Sequence, residues 1–300
     1  MRRIAPLLLL LAFFSPSVAQ EMSLKSSFQI TGAPGKGLES PASFTYDSYR
    51  ERILVANTGA NAVDVFTAEG EFLFRIGETG GLSAPIGAAI LSSGQVVILQ
   101  EKSNLLKIYD EGTQQLDTFN LTKSDSTGKT RISRIFTDGR DNLYLLDGGS
   151  NRILVLDKTW KRTAVADATG RGRPRRPVDL VLDNAGRIYL ADESDCPIRV
   201  FDPKGRFLSC LEKYSPGRNT RWRPAGICVD SKNRIWAIDE GTSTLRVFDA
   251  NGNLLQTIDS ADGGMRRFFF PVQIILDRYG QLYLLEKGKN TIEVFQIENY

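Results

Sequence analysis

"PAGICVDSKNRIWAIDEGTSTLRVFDANGNLLQTI", residues 224–258, holds four short apolar runs separated by polar turns. "PAGICVD" follows a proline; "RIWAID", "TLRVFD" and "NLLQTI" come after it. Val, Ile, Leu, Phe and Tyr in short alternating runs suit strands, and the Asp, Asn and Gly between them suit tight turns. Nothing in the chain shows a sustained helical period. The stretch therefore predicts four strands, designated a to d.

The unit recurs. Runs equivalent to strand b start at Ile53, Val96, Leu143, Ile188, Ile235 and Leu282, spaced by 43, 47, 45, 47 and 47 residues. Thirteen residues after each start stands a large apolar residue: Phe66, Tyr109, Leu156, Phe201, Phe248 and Phe295. An offset that never varies marks a rigid pair of strands. Strand a opens on Pro41, Pro85, Pro177, Pro224 and Pro271, with Ile132 in the third repeat. Asp138, Asp183, Asp230 and Asp277 open the turn from a to b. Four strands in each of six repeats predict an all-β, six-bladed β-propeller of four-stranded antiparallel blades. The sixth repeat stops at Tyr300 after strand c. "FQITGAPGKGLESP" (28–41) matches "FLFRIGETGGLSAP" (72–85), so the N-terminal strand should complete blade six and close the ring.

"PAGICVDSKNRIWAID", "TLRVFDANGNLL", "PVDLVLDNAGRIYLAD" and "PIRVFDPKGRFL" resemble NHL repeats, the modules of six-bladed propellers. The resemblance covers residues 24–300 and is weaker in blade two. It implies a fold and a habit of binding, not one activity.

The chain has 300 residues, is 41% hydrophobic and 24% charged, and carries a net charge of only +3, so electrostatic function must come from local clustering. Arg2, Arg3, the apolar Ile4 to Phe14 and Ser17-Val18-Ala19 read as a signal peptide over 1–19, with an uncleaved anchor as the alternative. The mature chain, 20–300, is expected to be exported to the periplasm or beyond, a soluble monomer without membrane insertion. Its blades fall at about 41–80, 85–128, 129–173, 174–220, 221–267 and 268–300 plus 24–33. Export permits a bridge between Cys196 and Cys210, which face each other across one hairpin of blade four, and leaves Cys228 as a buried thiol.

The stretch "GRGRPRRP" (170–177) raises the question of function. Arg131, Arg176 and Arg223 precede strand a in blades three to five, and Asp147, Asp192 and Asp239 end strand b in the same blades. Their co-occurrence predicts three structural Arg–Asp pairs. Arg171, Arg173, Arg175, Arg218, Arg221, Arg266 and Arg267 lie in the loops from d to a, with Trp222, Phe268 and Phe269 among them. They read either as solvated loop charge or as a binding surface on the top face, where strand a begins.

The chain has no histidine. That excludes a Ser-His-Asp triad and His-ligated metals, and with them the chemistry of amidating lyases, paraoxonase-type lactonases and streptogramin lyases. Gluconolactonase-like and strictosidine-synthase-like propellers place acids or amides at the channel mouth. The matching positions, two residues into strand a, are Ser43, Gly87, Arg134, Asp179, Gly226 and Gln273. Arg134 should hold Asp179 ionised, as a structural ion pair. "DESD" (192–195) lacks a calcium-loop signature; no metal and no cofactor are expected. The sequence thus leads to a non-catalytic scaffold that binds a protein or peptide through its top face. Alternatives are a His-free, carboxylate-dependent lactonase- or lyase-like enzyme and an RNA-binding propeller, the latter disfavoured by export.

Overall fold

A computed structural model describes residues 21–77, 80–121, 130–166, 172–211 and 222–300. The signal-peptide reading of 1–19 lies outside them. Six four-stranded antiparallel sheets follow one another in sequence as blades of a ring. Blade one consists of Pro41–Asp47, Arg52–Asn57, Ala62–Thr67 and Phe72–Ile76, from the inside outward.

The constant offset of thirteen is the b–c ladder itself. Ile53 pairs with Phe66, Val96 with Tyr109, Leu143 with Leu156, Ile188 with Phe201, Ile235 with Phe248 and Leu282 with Phe295. The ladder explains why the length between the two positions cannot drift, because a one-residue slip would turn every side chain to the wrong face.

Strand b is apolar at consecutive positions because both of its faces are covered. Ile53 and Val55 pack toward blade six, while Leu54 packs toward blade two. The core is accordingly divided into six clusters, one at each junction between neighbouring blades. The a–b turns are held by their opening acid. Asp230 accepts the backbone N–H of Lys232 and Arg234 at 2.9 and 2.8 Å, the Arg234 Nε at 2.6 Å, and the Trp236 indole N–H at 3.0 Å.

Ser23–Ile30 pairs antiparallel with Thr291–Glu298 and supplies the missing strand d of blade six. A register shift between Ser26 and Phe28 leaves Ser27 without a partner in the ladder. Beside it, the Ser26 N–H and Oγ donate to Asp262, at 2.8 and 2.5 Å, and Arg266 donates to the Ser26 Oγ at 3.1 Å. Gln256 brackets Met22, accepting its N–H at 3.0 Å and donating to its carbonyl at 2.7 Å. The closing strand is thus tied to blade five as well as to blade six.

Cys196 and Cys210 form a disulfide with Cα atoms 5.7 Å apart, and Cys228 is a buried free thiol. Under non-reducing conditions the unfolded chain should take up one alkyl group and, after reduction, three; native protein should take up none. Mass spectrometry reads these counts, and three labels without reduction would exclude the bridge. Removal of residues 21–30 takes Leu24 and Ile30 out of two of the six clusters. At about 1.5–3 kcal/mol for each buried aliphatic side chain, the melting temperature should fall by on the order of 10 °C. An unchanged melt would mean that the ring closes without this strand.

Candidate active site

The end of strand b organises the top face. In every blade the polar side chain there accepts a backbone N–H from the loop that enters strand a. Asn57 Oδ1 takes Glu39 N–H at 2.8 Å, Gln100 Oε1 takes Ser83 at 2.6 Å, and Asp147 Oδ1 takes Arg131 at 2.8 Å. Asp192 takes both Arg175 and Arg176, at 2.8 and 3.2 Å, Asp239 takes Arg223 at 3.2 Å, and Glu286 takes Phe269 at 2.9 Å.

The predicted pairs are therefore rearranged. Arg131, Arg176 and Arg223 meet Asp147, Asp192 and Asp239 through their main chains. The guanidinium groups on those acids come from strand c: Arg152 on Asp147 at 2.9 Å, Arg199 on Asp192 at 3.3 Å and Arg246 on Asp239 at 3.0 Å. Arg176 and Arg223 lie exposed and turn to Glu193 and Glu240, at 3.2 and 2.8 Å. The physical reason is burial. Asp192 and Arg199 are both shut away, the arginine side chain being 1% exposed, and a buried charge demands a buried partner. The signal was present as a charged residue inside an otherwise apolar strand c.

The aromatic half of the expected top surface is core. Trp222 is 3% exposed and stacks on Phe248, with Arg246 over its ring; Phe268 is 5% exposed and meets Phe295 edge-on. They fill blade junctions as Leu38 and Leu82 do in the equivalent loops. Phe269 is exposed beside Phe270. Arg266 belongs to the closure, paired with the buried Glu293, while Arg267, Arg173 and Arg175 are exposed. Arg171, Arg218 and Arg221 lie outside the described residues.

The third residue of strand a faces the following blade all the way round the ring. Gln273 accepts Phe44 N–H at 2.8 Å and donates to its carbonyl at 2.9 Å, and Ser43 donates to the Ile86 carbonyl at 2.8 Å. Arg134 Nε stands 3.7 Å from Asp179 Oδ1, and Asp179 Oδ2 accepts Ile227 N–H at 3.1 Å. A Cβ on Gly87 would lie 3.1 Å from Ile135 Cγ2, and one on Gly226 3.0 Å from Gln273 Cα. Four polar side chains thus bridge blades, and two glycines let the next blade approach directly.

Asp179 is the exception within this ring of ties. It is 2% exposed, and its Oδ1 makes no hydrogen bond among the described residues; nor does Arg134 Nε. Burial pushes the Asp179 carboxyl up to about 6, against the downward pull of Arg134 and of the Ile227 and Leu180 N–H groups. The expected Arg134–Asp179 ion pair is present, and burial raises the carboxyl against it. At 3.7 Å, without a hydrogen bond, the guanidinium offsets only part of the desolvation. Burial also drives the Cys228 thiol well above its usual value, so it is no thiolate nucleophile near neutrality. Among the described residues no three His, Cys, Asp or Glu side chains converge as a metal site would require. A cavity of about 890 Å³ follows the outer strand of blade one, lined by Phe72, Phe74 and Tyr109, and does not include the ring.

The NHL repeat model matches residues 222–248, within blade five. No curated protein sequence matches the chain significantly. Among solved structures, virginiamycin B lyase from Staphylococcus aureus is similar at 14% identity, over 93% of this chain and 88% of that one, with a TM-score of 0.64. A gluconolactonase from Xanthomonas campestris is similar at 12% identity, over 92% of this chain and 95% of that one, with a TM-score of 0.65. A catalytically inactive His-to-Ala variant of the S. aureus lyase, bound to quinupristin, is similar at 13% identity, over 92% of this chain and 99% of that one, with a TM-score of 0.63. These likenesses establish the fold. The expectation of a non-catalytic scaffold for a protein or peptide is corrected: the three similar propellers named above are described as lyases and a gluconolactonase, and two of the aromatic residues meant to bind a partner are buried.

Replacing Asp192 by Ala should take the buried acid from Arg199 and release the loop at Arg175 and Arg176, costing about 3–5 kcal/mol. Arg176→Ala, at an exposed pair, should cost less than about 1 kcal/mol. Denaturant melts compare the two; equal losses would return Arg176 to the role the sequence suggested.

Proposed function

We propose that the chain is a His-free propeller hydrolase of the lactonase kind, with Asp179 as general base and Arg134 as the charge that stabilises the developing oxyanion. The observation that carries this reading is the carboxyl of Asp179. It is buried on the inner strand, has one oxygen without a hydrogen bond among the described residues, faces a guanidinium, and is pushed up to about 6. A base is most useful when its pKa lies near the working pH. In this reading Oδ1 takes a proton from water as that water attacks an ester or lactone carbonyl. Arg134 balances the negative charge on the tetrahedral carbon's oxygen. As the C–O bond breaks, the proton passes from Asp179 to the leaving alkoxide, and the carboxylate is regenerated.

The hydrolytic branch is favoured over the lyase branch because the similar lyase is inactive as its His-to-Ala variant, and this chain contains no histidine. The Cys196–Cys210 bridge supports a workplace outside the cytoplasm.

Hydrolysis of glucono-lactone and simple aryl esters, followed by proton release, tests the reading. The rate for wild type should rise with pH through about 6, as Asp179 loses its proton. Asp179→Asn should lower it by roughly 10²–10⁴-fold. Stability supplies an independent sign. The folded carboxyl titrates above its unfolded value of 3.8, so the folded state holds the extra proton between those limits. Stability from this group is therefore full below pH 3.8 and lost as pH rises through about 6. Relative to wild type, Asp179→Asn should melt later at pH 8 than at pH 4, whereas a purely structural ion pair would make the variant melt earlier at pH 8. Full activity in Asp179→Asn, or no hydrolysis by wild type, would overturn the proposal.

A further inference from the structure

One top-face cleft lies close along the chain to this ring. It measures about 480 Å³ and is lined by Asn151, Arg173, Pro174 and Arg175. Pro174 is buried, and Asp192 grips the N–H groups of Arg175 and Arg176, so the main chain here is fixed while Arg173 and Arg175 project into solvent. Asn151 reaches the cleft from the b–c turn of blade three, in a left-handed conformation with φ of 52°.

Among the described residues, the exposed arginines of the loops entering blades three to five are answered unevenly. Arg176 is answered by Glu193, and Arg223 by Glu240. Among the described residues, Arg175 has Asp195 alone within ion-pair distance, at 4.0 Å, and Asp195 also serves the buried Arg199 at 3.4 Å. No acid lies within ion-pair distance of Arg173 among the described residues. Guanidinium groups short of acids beside a cleft, on a backbone already held in place, suit an oxyanion that can accept two N–H bonds from each.

We propose that this cleft binds the oxyanion end of an anionic ester or lactone, a carboxylate or a phosphate. Arg173 and Arg175 neutralise it, and Asn151 supplies an amide hydrogen bond. Asp179 lies four positions after Arg175, a span of at most about 14 Å, so a ligand of that length anchored here would reach the ring. The assignment of the ligand as a substrate rests on the hydrolase reading; the binding of the anion does not.

Calorimetry at low salt with inorganic phosphate, citrate and a neutral polyol as probes tests the proposal. Wild type should bind one or both anions and not the polyol, with affinity falling as salt is added. Tighter phosphate would name a phosphorylated ligand, and tighter citrate a carboxylated one. The double variant Arg173→Gln with Arg175→Gln should weaken the anion at least tenfold without shifting the melt. Arg267→Gln, an exposed arginine in another loop, should leave binding unchanged. No binding by wild type, no loss in the double variant, or an equal loss in Arg267→Gln would overturn the proposal. Asp179→Asn should keep the anion affinity. If that variant also keeps hydrolysis while the double variant loses the anion, the hydrolase reading fails and the cleft stands.

Discussion

The acceptor at the end of strand b is the interaction on which the top face depends. A propeller blade leaves its loops without ladder partners, and a loop lying over the blade junctions must still satisfy its N–H groups. Asn57, Gln100, Asp147, Asp192, Asp239 and Glu286 do this from the same position in six blades. Two loop forms result. In blades one, two and six the residue before strand a takes a left-handed conformation, at Ser40, Ala84 and Phe270, and the N–H one residue earlier is captured. In blades three to five that residue is an arginine whose own N–H is captured, which turns its side chain to the surface.

The inner ring applies the same economy to the junctions. Ser43, Arg134, Asp179 and Gln273 each reach the next blade, so a residue near the channel mouth is first of all a tie. Asp179 serves as a tie through one oxygen only. Its other oxygen stays unbonded in a buried place, and that costs stability whenever the group is ionised. Such a cost at one member of a repeating set is what the hydrolase proposal builds on, because the other members show how the position is satisfied when stability alone is served.

The six b–c ladders could be read directly from the sequence because pairing fixes their spacing, and the closing strand because residues 28–41 repeat 72–85. The partners of the acids could not. Asp192 has Arg176 sixteen residues before it and Arg199 seven after it, and only burial distinguishes them. The charged Asp64, Arg199, Arg246 and Glu293 within strands c were the available clue, since an inward charge needs a partner of its own. Trp222 and Phe268 looked like surface anchors because their loops are polar; Leu38 and Leu82, in matching places, already marked the position as a plug between blades. The pKa of Asp179 depends on desolvation against a guanidinium 3.7 Å away, a balance that no spacing records.

Ser23 stands opposite Glu298 in the sheet that closes the ring. The ring therefore closes between strands c and d of one blade, and six similar blade junctions surround that seam. Which c–d turn carries the seam makes no difference to the ladders. A circular permutant that joins Tyr300 to Glu21 by a short linker and opens the chain in another c–d turn keeps every ladder, every blade junction and the whole inner ring.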